Sequence, residues 1–144
     1  MSFRDTASFG KRVEYKIIGE MLKEGLDVYI PLVDDHGVDC VIKRPDGQFV
    51  EIQIKGRSKE AVKEKGSFSV EKHDKPVSNF YFIFYSEELD KKWIFTSQEF
   101  IDETKPIVNG RNKGKRKILL FSDNGEIKSK YESFLSDNYS KINN

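Results

Sequence analysis

Glu51, Gln53 and Lys55 fall on one face of a predicted strand and Val50, Ile52 and Ile54 on the other, because side chains alternate along an extended chain. A strand predicted over residues 38–43 adds Asp39, flanked by Val38, Cys40, Val41 and Ile42. An acid, an amide and a lysine set among apolar strand residues are costly to bury. The chemistry that suits them is a divalent cation and a phosphodiester. Mg²⁺ takes oxygen ligands and keeps several waters, so one carboxylate with one or two further oxygens is enough protein. Asp39 offers the carboxylate, Gln53 its amide oxygen and Ile54 its main-chain carbonyl. Lys55 shares the Gln53 face and suits orienting or deprotonating an attacking water, or stabilising a pentavalent phosphorane. A plain hairpin with one face in water shows the same alternation, and that reading stands beside the first.

These residues need elements to position them. A first helix is expected over residues 8–24, with Ser8 as N-cap and Gly25 as the stop. Ile17, Ile18, Met21 and Leu22 form its apolar stripe, and at about 100° per residue Glu14 falls near the centre of that stripe. A carboxylate there either serves a site or reaches solvent or a nearby lysine at the helix end. Strands are expected over 26–33, where Pro31 suggests an edge or bulge, then over 38–43 and 48–55, the last ended by Gly56. Residues 58–66 read as a short helix or a loop, and 67–72 as a weak strand. The aromatic run 79–86 reads as a strand covered on both faces, with 91–95 as its hairpin partner. Thr96 and Glu99 match a capping box opening a second helix. A short strand over 117–121 and a C-terminal helix over 126–139, with Ile127, Tyr131, Phe134 and Leu135 on one side, complete the chain. This order implies a single α+β (mixed α/β) domain over 1–144 with a central sheet.

The 144 residues carry 25 basic and 24 acidic side chains, so binding to nucleic acid must come from local patches and not from a global field. Cys40 is the single cysteine and lies in an apolar strand, which implies a buried free thiol and a reducing, cytoplasmic setting. No segment has the pattern of a signal peptide or the roughly 20 apolar residues of a membrane span. No phosphate-binding glycine loop is visible, so no nucleotide cofactor is expected.

Glu14, Gly25, the Gly37-Val38-Asp39 segment and the Gln53-Ile54-Lys55 triplet together resemble the PD-(D/E)XK nuclease superfamily, most nearly its archaeal-type Holliday-junction resolvase-like small endonucleases. The match covers residues 8–57 by motif and the remainder by element order, and it rests on the order and spacing of all four features. It implies a restriction-endonuclease-like mixed sheet in αβββαβ order, here with an added C-terminal helix. It also implies Mg²⁺- or Mn²⁺-dependent cleavage of DNA phosphodiesters, on branched or junction DNA among other forms, by a homodimer. Carried over residue by residue, Asp39, Gln53 and the Ile54 carbonyl hold metal, Glu14 assists through water, and Lys55 serves the attacking water. Gln53 stands where the family usually has an acid, and Glu51, on the same face, is an auxiliary candidate with His36. The helix usual between the third and fourth strands is poorly marked. The alternative is a nuclease fold that binds DNA or a protein partner without cutting.

The run RNKGKRK over 111–117 is the densest basic segment, and Arg111, Lys113, Lys115, Arg116 and Lys117, with Arg57 and Lys59, are candidates for the DNA backbone. A solvated loop would have the same composition. His36 and His73 lack partners at zinc spacing and are not expected to bind metal.

Overall fold

The computed structural model describes residues 3–33 and 37–144. Helix α1 spans Phe3–Lys23, so Ser8 lies inside it and is not its N-cap. Nothing in the segment FRDTA breaks a helix, and the chain enters the helix five residues earlier than expected. Its C-terminus closes as foreseen. Gly25, at φ +90°, donates to Leu22 and Leu26 donates to Met21, a Schellman motif that only a left-handed residue completes. The buried face is Val13, Ile17, Ile18 and Met21, whereas Leu22 is exposed.

Strands β1 (Asp27–Tyr29), β2 (Cys40–Lys43) and β3 (Phe49–Arg57) form an antiparallel meander. Strand β5 (Phe80–Ser86) then pairs parallel to β3, with Ile54 opposite Ile83, and β6 (Lys91–Thr96) closes a hairpin with β5. The sheet order is β1-β2-β3-β5-β6. This is the mixed central sheet expected, with β1 and Pro31 at its edge. Strand β3 continues past Gly56 to Arg57, so Gly56 does not end it. Its lack of a side chain matters for packing instead. A Cβ there would lie 2.7 Å from the Val13 side chain, so glycine lets α1 rest directly on β3.

Parallel neighbours need a crossover, and between β3 and β5 it is not helical. The segment 58–66 is charged and has no apolar stripe to lay on a sheet; it forms turns, held where Arg57 donates to the carbonyls of Lys63 and Glu64. Next comes β4 (Ser67–Val70), which pairs antiparallel with β7 (Arg116–Leu119) in a separate two-stranded sheet. Helix α2 (Ser97–Glu103) has the capping box foreseen, Thr96 and Glu99 each bonding the other's backbone amide.

The expected helix over 126–139 does not form. Ile127 bridges Phe121 and Leu135 bridges Trp93, which pulls both ends into extended backbone. Only a 3-10 helix, Ser129–Phe134, fits between them, and a four-residue helix α3, Ser140–Asn143, follows. The chain passes the β6 edge here, because Tyr131 belongs to the core on one face of the sheet and Tyr139 and Ile142 to the core on the other. Among the described residues no helix is long and apolar enough to cross a membrane.

Candidate active site

The site forms where β2 and β3 part. Cys40 is opposite Ile52 in the regular register, yet the Asp39 amide also bonds the Ile52 carbonyl at 2.8 Å, an offset of the kind made by a β-bulge. Beyond it the ladder changes partner. The amide of Ile54 donates not to a strand carbonyl but to Oδ2 of Asp39, at 2.6 Å. The carboxylate is thereby locked onto the backbone between Gln53 and Lys55. A residue in a strand directs its N–H and C=O to the same side, so the Ile54 carbonyl faces this opening as well.

Glu14 comes to the same place from α1. It is half-buried, paired with Lys11 at 3.1 Å, and lines a small recess with Tyr15, Ile18, Ile30, Val38 and Asp39. Burial, together with the Asp39 and Glu14 carboxylates, pushes the Cys40 thiol up to about 12, so it stays protonated and inert.

On the other side of Val38 a cleft of about 640 Å³ opens, lined among others by Glu51, Gln53 and Lys55. Gly37, at φ +72°, forms part of its rim, and a Cβ there would meet the Gln53 amide nitrogen at 2.8 Å. Glycine therefore leaves the Gln53 amide room to pack against residue 37. The structure gathers Asp39 and Glu14 in one recess and Gln53, Lys55 and Glu51 in the adjoining cleft. Val38 and the Asp39–Ile54 hydrogen bond join the two. His36 lies outside the described residues.

A model of the PD-(D/E)XK endonuclease family matches residues 4–123, most of the chain. The chain belongs to that family. A comparison with curated proteins finds no match. Among solved structures, that of a bacterial homing endonuclease, I-Ssp6803I, is similar with a TM-score of 0.65 and 22% identity, covering 95% of this chain and 91% of the other. The shared fold is the restriction-endonuclease-like one, and the chain is a nuclease by family.

The far wall of this PD-(D/E)XK cleft comes from residues the motif does not mark. Glu71, Lys72 and His73, at the exit of β4, face Gln53 and Lys55, with Val77 and Phe80 beside them. His73 is anchored: its Nε2 lies 2.6 Å from Ser97 Oγ, and its ring packs at 4.9 Å from Phe82. Ser97 Oγ also accepts from the Val77 amide, so this one hydroxyl ties His73 to the segment that follows it. Burial, then Arg116, lowers the His73 pKa and keeps the ring neutral. No local pattern in the sequence marks this stretch; only the crossover brings it over β3.

The basic residues divide. Arg116 is buried; its guanidinium donates to the His73 carbonyl at 2.8 Å and to Thr104, so it is structural and withdrawn from any DNA backbone. Arg57 likewise holds the 58–64 turn, and its Nε is buried with no hydrogen-bond partner among the described residues. Lys115 pairs with Glu71 and Lys117 with Glu64. Lys59, Arg111 and Lys113 are exposed, the last two at the tip of a 107–115 hairpin closed by the Gly114–Ile107 and Ile107–Lys115 hydrogen bonds.

Proposed function

We propose that this chain is a divalent-metal-dependent DNA endonuclease in which Asp39, Gln53 and the Ile54 carbonyl hold Mg²⁺ or Mn²⁺. Glu14 assists through a bound water, and Lys55 serves the attacking water. The observation that carries the reading is the Asp39 carboxylate fastened to the Ile54 amide between Gln53 and Lys55, at an open cleft.

The donor set suits a hard cation that keeps most of its water. Among the described residues no group of three or more His, Cys, Asp or Glu side chains could hold a metal. One carboxylate supplemented by an amide and a carbonyl is still a set of oxygens of the kind Mg²⁺ accepts with several waters. When bound there, the ion supplies Lewis-acid neutralisation of the phosphate charge and acidifies its water. The chain does the rest. Asp39 is oriented by the Ile54 amide, and Gly37 leaves the Gln53 amide room beside it. The Lys55 ammonium holds the attacking water against phosphorus or meets the charge that builds on the phosphorane. Glu51 lines the same cleft and is an auxiliary acid. Lys59, Arg111 and Lys113 contact the DNA backbone outside it.

A homodimer is the proposed working unit. The edge strand β1 and the residues after it expose Tyr29, Ile30, Leu32 and Val33 next to the Glu14–Asp39 recess, and this apolar edge supports the reading.

The test is cleavage of labelled duplex and four-way-junction DNA in Mn²⁺, with EDTA and Lys55→Ala as controls. Metal-dependent cutting that disappears in Lys55→Ala is expected, and the faster-cut form identifies the preferred DNA shape. Salt-sensitive binding without cutting in any metal would replace this reading with that of a non-cleaving DNA-binding domain, which Gln53 in the acid's position favours.

A further inference from the structure

We propose that Lys72 is a second phosphate-binding residue of the cleft, positioned across from Lys55 to receive the nucleic-acid backbone; this rests on the part of the proposed function that seats DNA in the cleft.

Lys72 adopts φ +35°, in the left-handed region where a long side chain is unfavourable. Such a conformation persists only where surrounding contacts over-determine it, and it points to a use for the strained residue. Here one residue, Arg116, supplies the constraint from both directions, by its backbone on one side and its guanidinium on the other. Val70 is opposite Arg116 in the β4–β7 ladder, and three residues further on the His73 carbonyl accepts from the Arg116 guanidinium at 2.8 Å. His73 is fixed again by Ser97 and by the rings of Phe80 and Phe82. Only Glu71 and Lys72 remain to turn the corner, and the turn brings Lys72 to the cleft wall facing β3.

The charges agree with that use. Glu71, the acid beside it, is paired with Lys115 at 3.3 Å. Lys72 and Lys55 line the cleft with no ion-pair partner among the described residues. Two ammonium groups on the walls of an open cleft, neither in an ion pair among the described residues, form a site for an anion held between them. The phosphodiester backbone, with a charge at every step, is the ligand such spacing serves.

The strain makes the proposal separable from a structural role. Lys72→Gly removes both the charge and the left-handed penalty, so its melting temperature should rise while function falls. Binding of labelled duplex DNA is measured in Ca²⁺ across a salt series for wild type, Lys72→Gly, Lys72→Asn and Lys72→Arg. Both uncharged variants should bind about tenfold or more weakly, as for loss of one charged hydrogen bond. Their log–log salt slopes should be shallower by about 0.9, the signature of one phosphate contact. Lys72→Arg should keep wild-type affinity and slope. Unchanged affinity and slope in Lys72→Gly, or an equal loss in Lys72→Arg, would overturn the proposal even in an enzyme that cuts. If wild type binds DNA without cutting and Lys72→Gly still loses one contact, the nuclease reading fails and the Lys72 site stands. If wild type binds no DNA, both fall.

Discussion

On one face of the central sheet α1 lays Val13, Ile17, Ile18 and Met21 over Cys40, Ile42, Val50, Ile52, Ile54 and Ile83, with Tyr139 and Ile142 from the C-terminal end joining them. On the opposite face β4, β7, α2 and the 3-10 segment, drawn from four separate parts of the chain, cover Phe80, Phe82, Phe84, Trp93 and Phe95. The first face is mainly aliphatic and drawn mostly from residues 13–54; the second is mainly aromatic and assembled from distant segments. The difference has a functional sense. The first face fixes β3 and brings Glu14 to Asp39, while the assembled face supplies the cleft wall with Lys72 and His73. The site lies on the seam, where Val38 lines both the recess and the cleft.

The strongest test of that division is a change at the seam which spares both faces. Asp39→Asn retains an oxygen that can accept the Ile54 amide, so stability should stay within about 1 kcal/mol of wild type. Cutting in Mn²⁺ should nevertheless fall at least about a hundredfold, because the charge proposed to bind the metal is gone. A variant that melts like wild type and still cuts would remove Asp39 from the chemistry and leave it only the structural role of ending the β2–β3 ladder.

The aromatic face should be the more sensitive of the two to loss of a side chain. Phe100 is fully buried, with ring centroids 4.7 Å from Phe82 and 5.7 Å from Phe84, and it also lies beneath His73. Phe100→Ala should cost about 3–5 kcal/mol, seen as a lower urea midpoint. Ile17→Val on the aliphatic face should cost about 0.5–1.5 kcal/mol. Phe100→Ala should also slow cutting at temperatures where the protein remains folded, since His73, next to Lys72 in the cleft wall, loses a ring that it packs against. Full activity in that folded variant would show that the cleft wall does not depend on the aromatic layer.

How far each face could be read from sequence follows from the range of the contacts that make it. Glu14, Gly25, Asp39, Gln53 and Lys55 stand out because helix spacing, strand alternation and a left-handed glycine are local properties. Arg116 does not separate itself from its six neighbours in the basic run, since its burial depends on Thr104 and on a His73 carbonyl 43 residues away. Lys72 carries no mark at all: its backbone angle is set by tertiary partners. Ile127, Tyr131, Phe134 and Leu135 have helical spacing and do pack together on the aromatic face, but bridges to Phe121 and Trp93 extend the backbone at either end. The crossover is the same lesson in reverse, because 58–66 offers a sheet nothing apolar to cover and the chain continues to β4 instead.

A finer measurement probes how tightly the helical face is fitted. The 2.7 Å approach that a Gly56 Cβ would make to Val13 means Gly56→Ala should overpack the α1–β3 contact and cost about 1–3 kcal/mol. Combining it with Val13→Ala should recover part of that cost, a favourable coupling in a double-mutant cycle on urea unfolding. Strictly additive losses would mean that α1 shifts as a body and that the helix is not seated against Gly56.

The smallest expected effect isolates the assembled face by pH. Burial lowers the His73 pKa below its ordinary 6.5, so the unfolded chain binds a proton there that the folded protein resists. The stability this represents is fully present above 6.5 and is lost as pH falls from there toward the folded pKa. Glu20 and Glu99 act in the same direction in a lower window: their folded pKa values lie below 4.5, so their contributions are lost only as pH falls through those values. Between about pH 5 and 7 the fall in melting temperature should therefore belong largely to His73. His73→Asn keeps a side-chain partner for Ser97 but does not titrate, and its melting temperature should be flatter across that interval. An equally steep fall in His73→Asn would assign the pH dependence to other groups and leave His73 a neutral spacer on the aromatic layer.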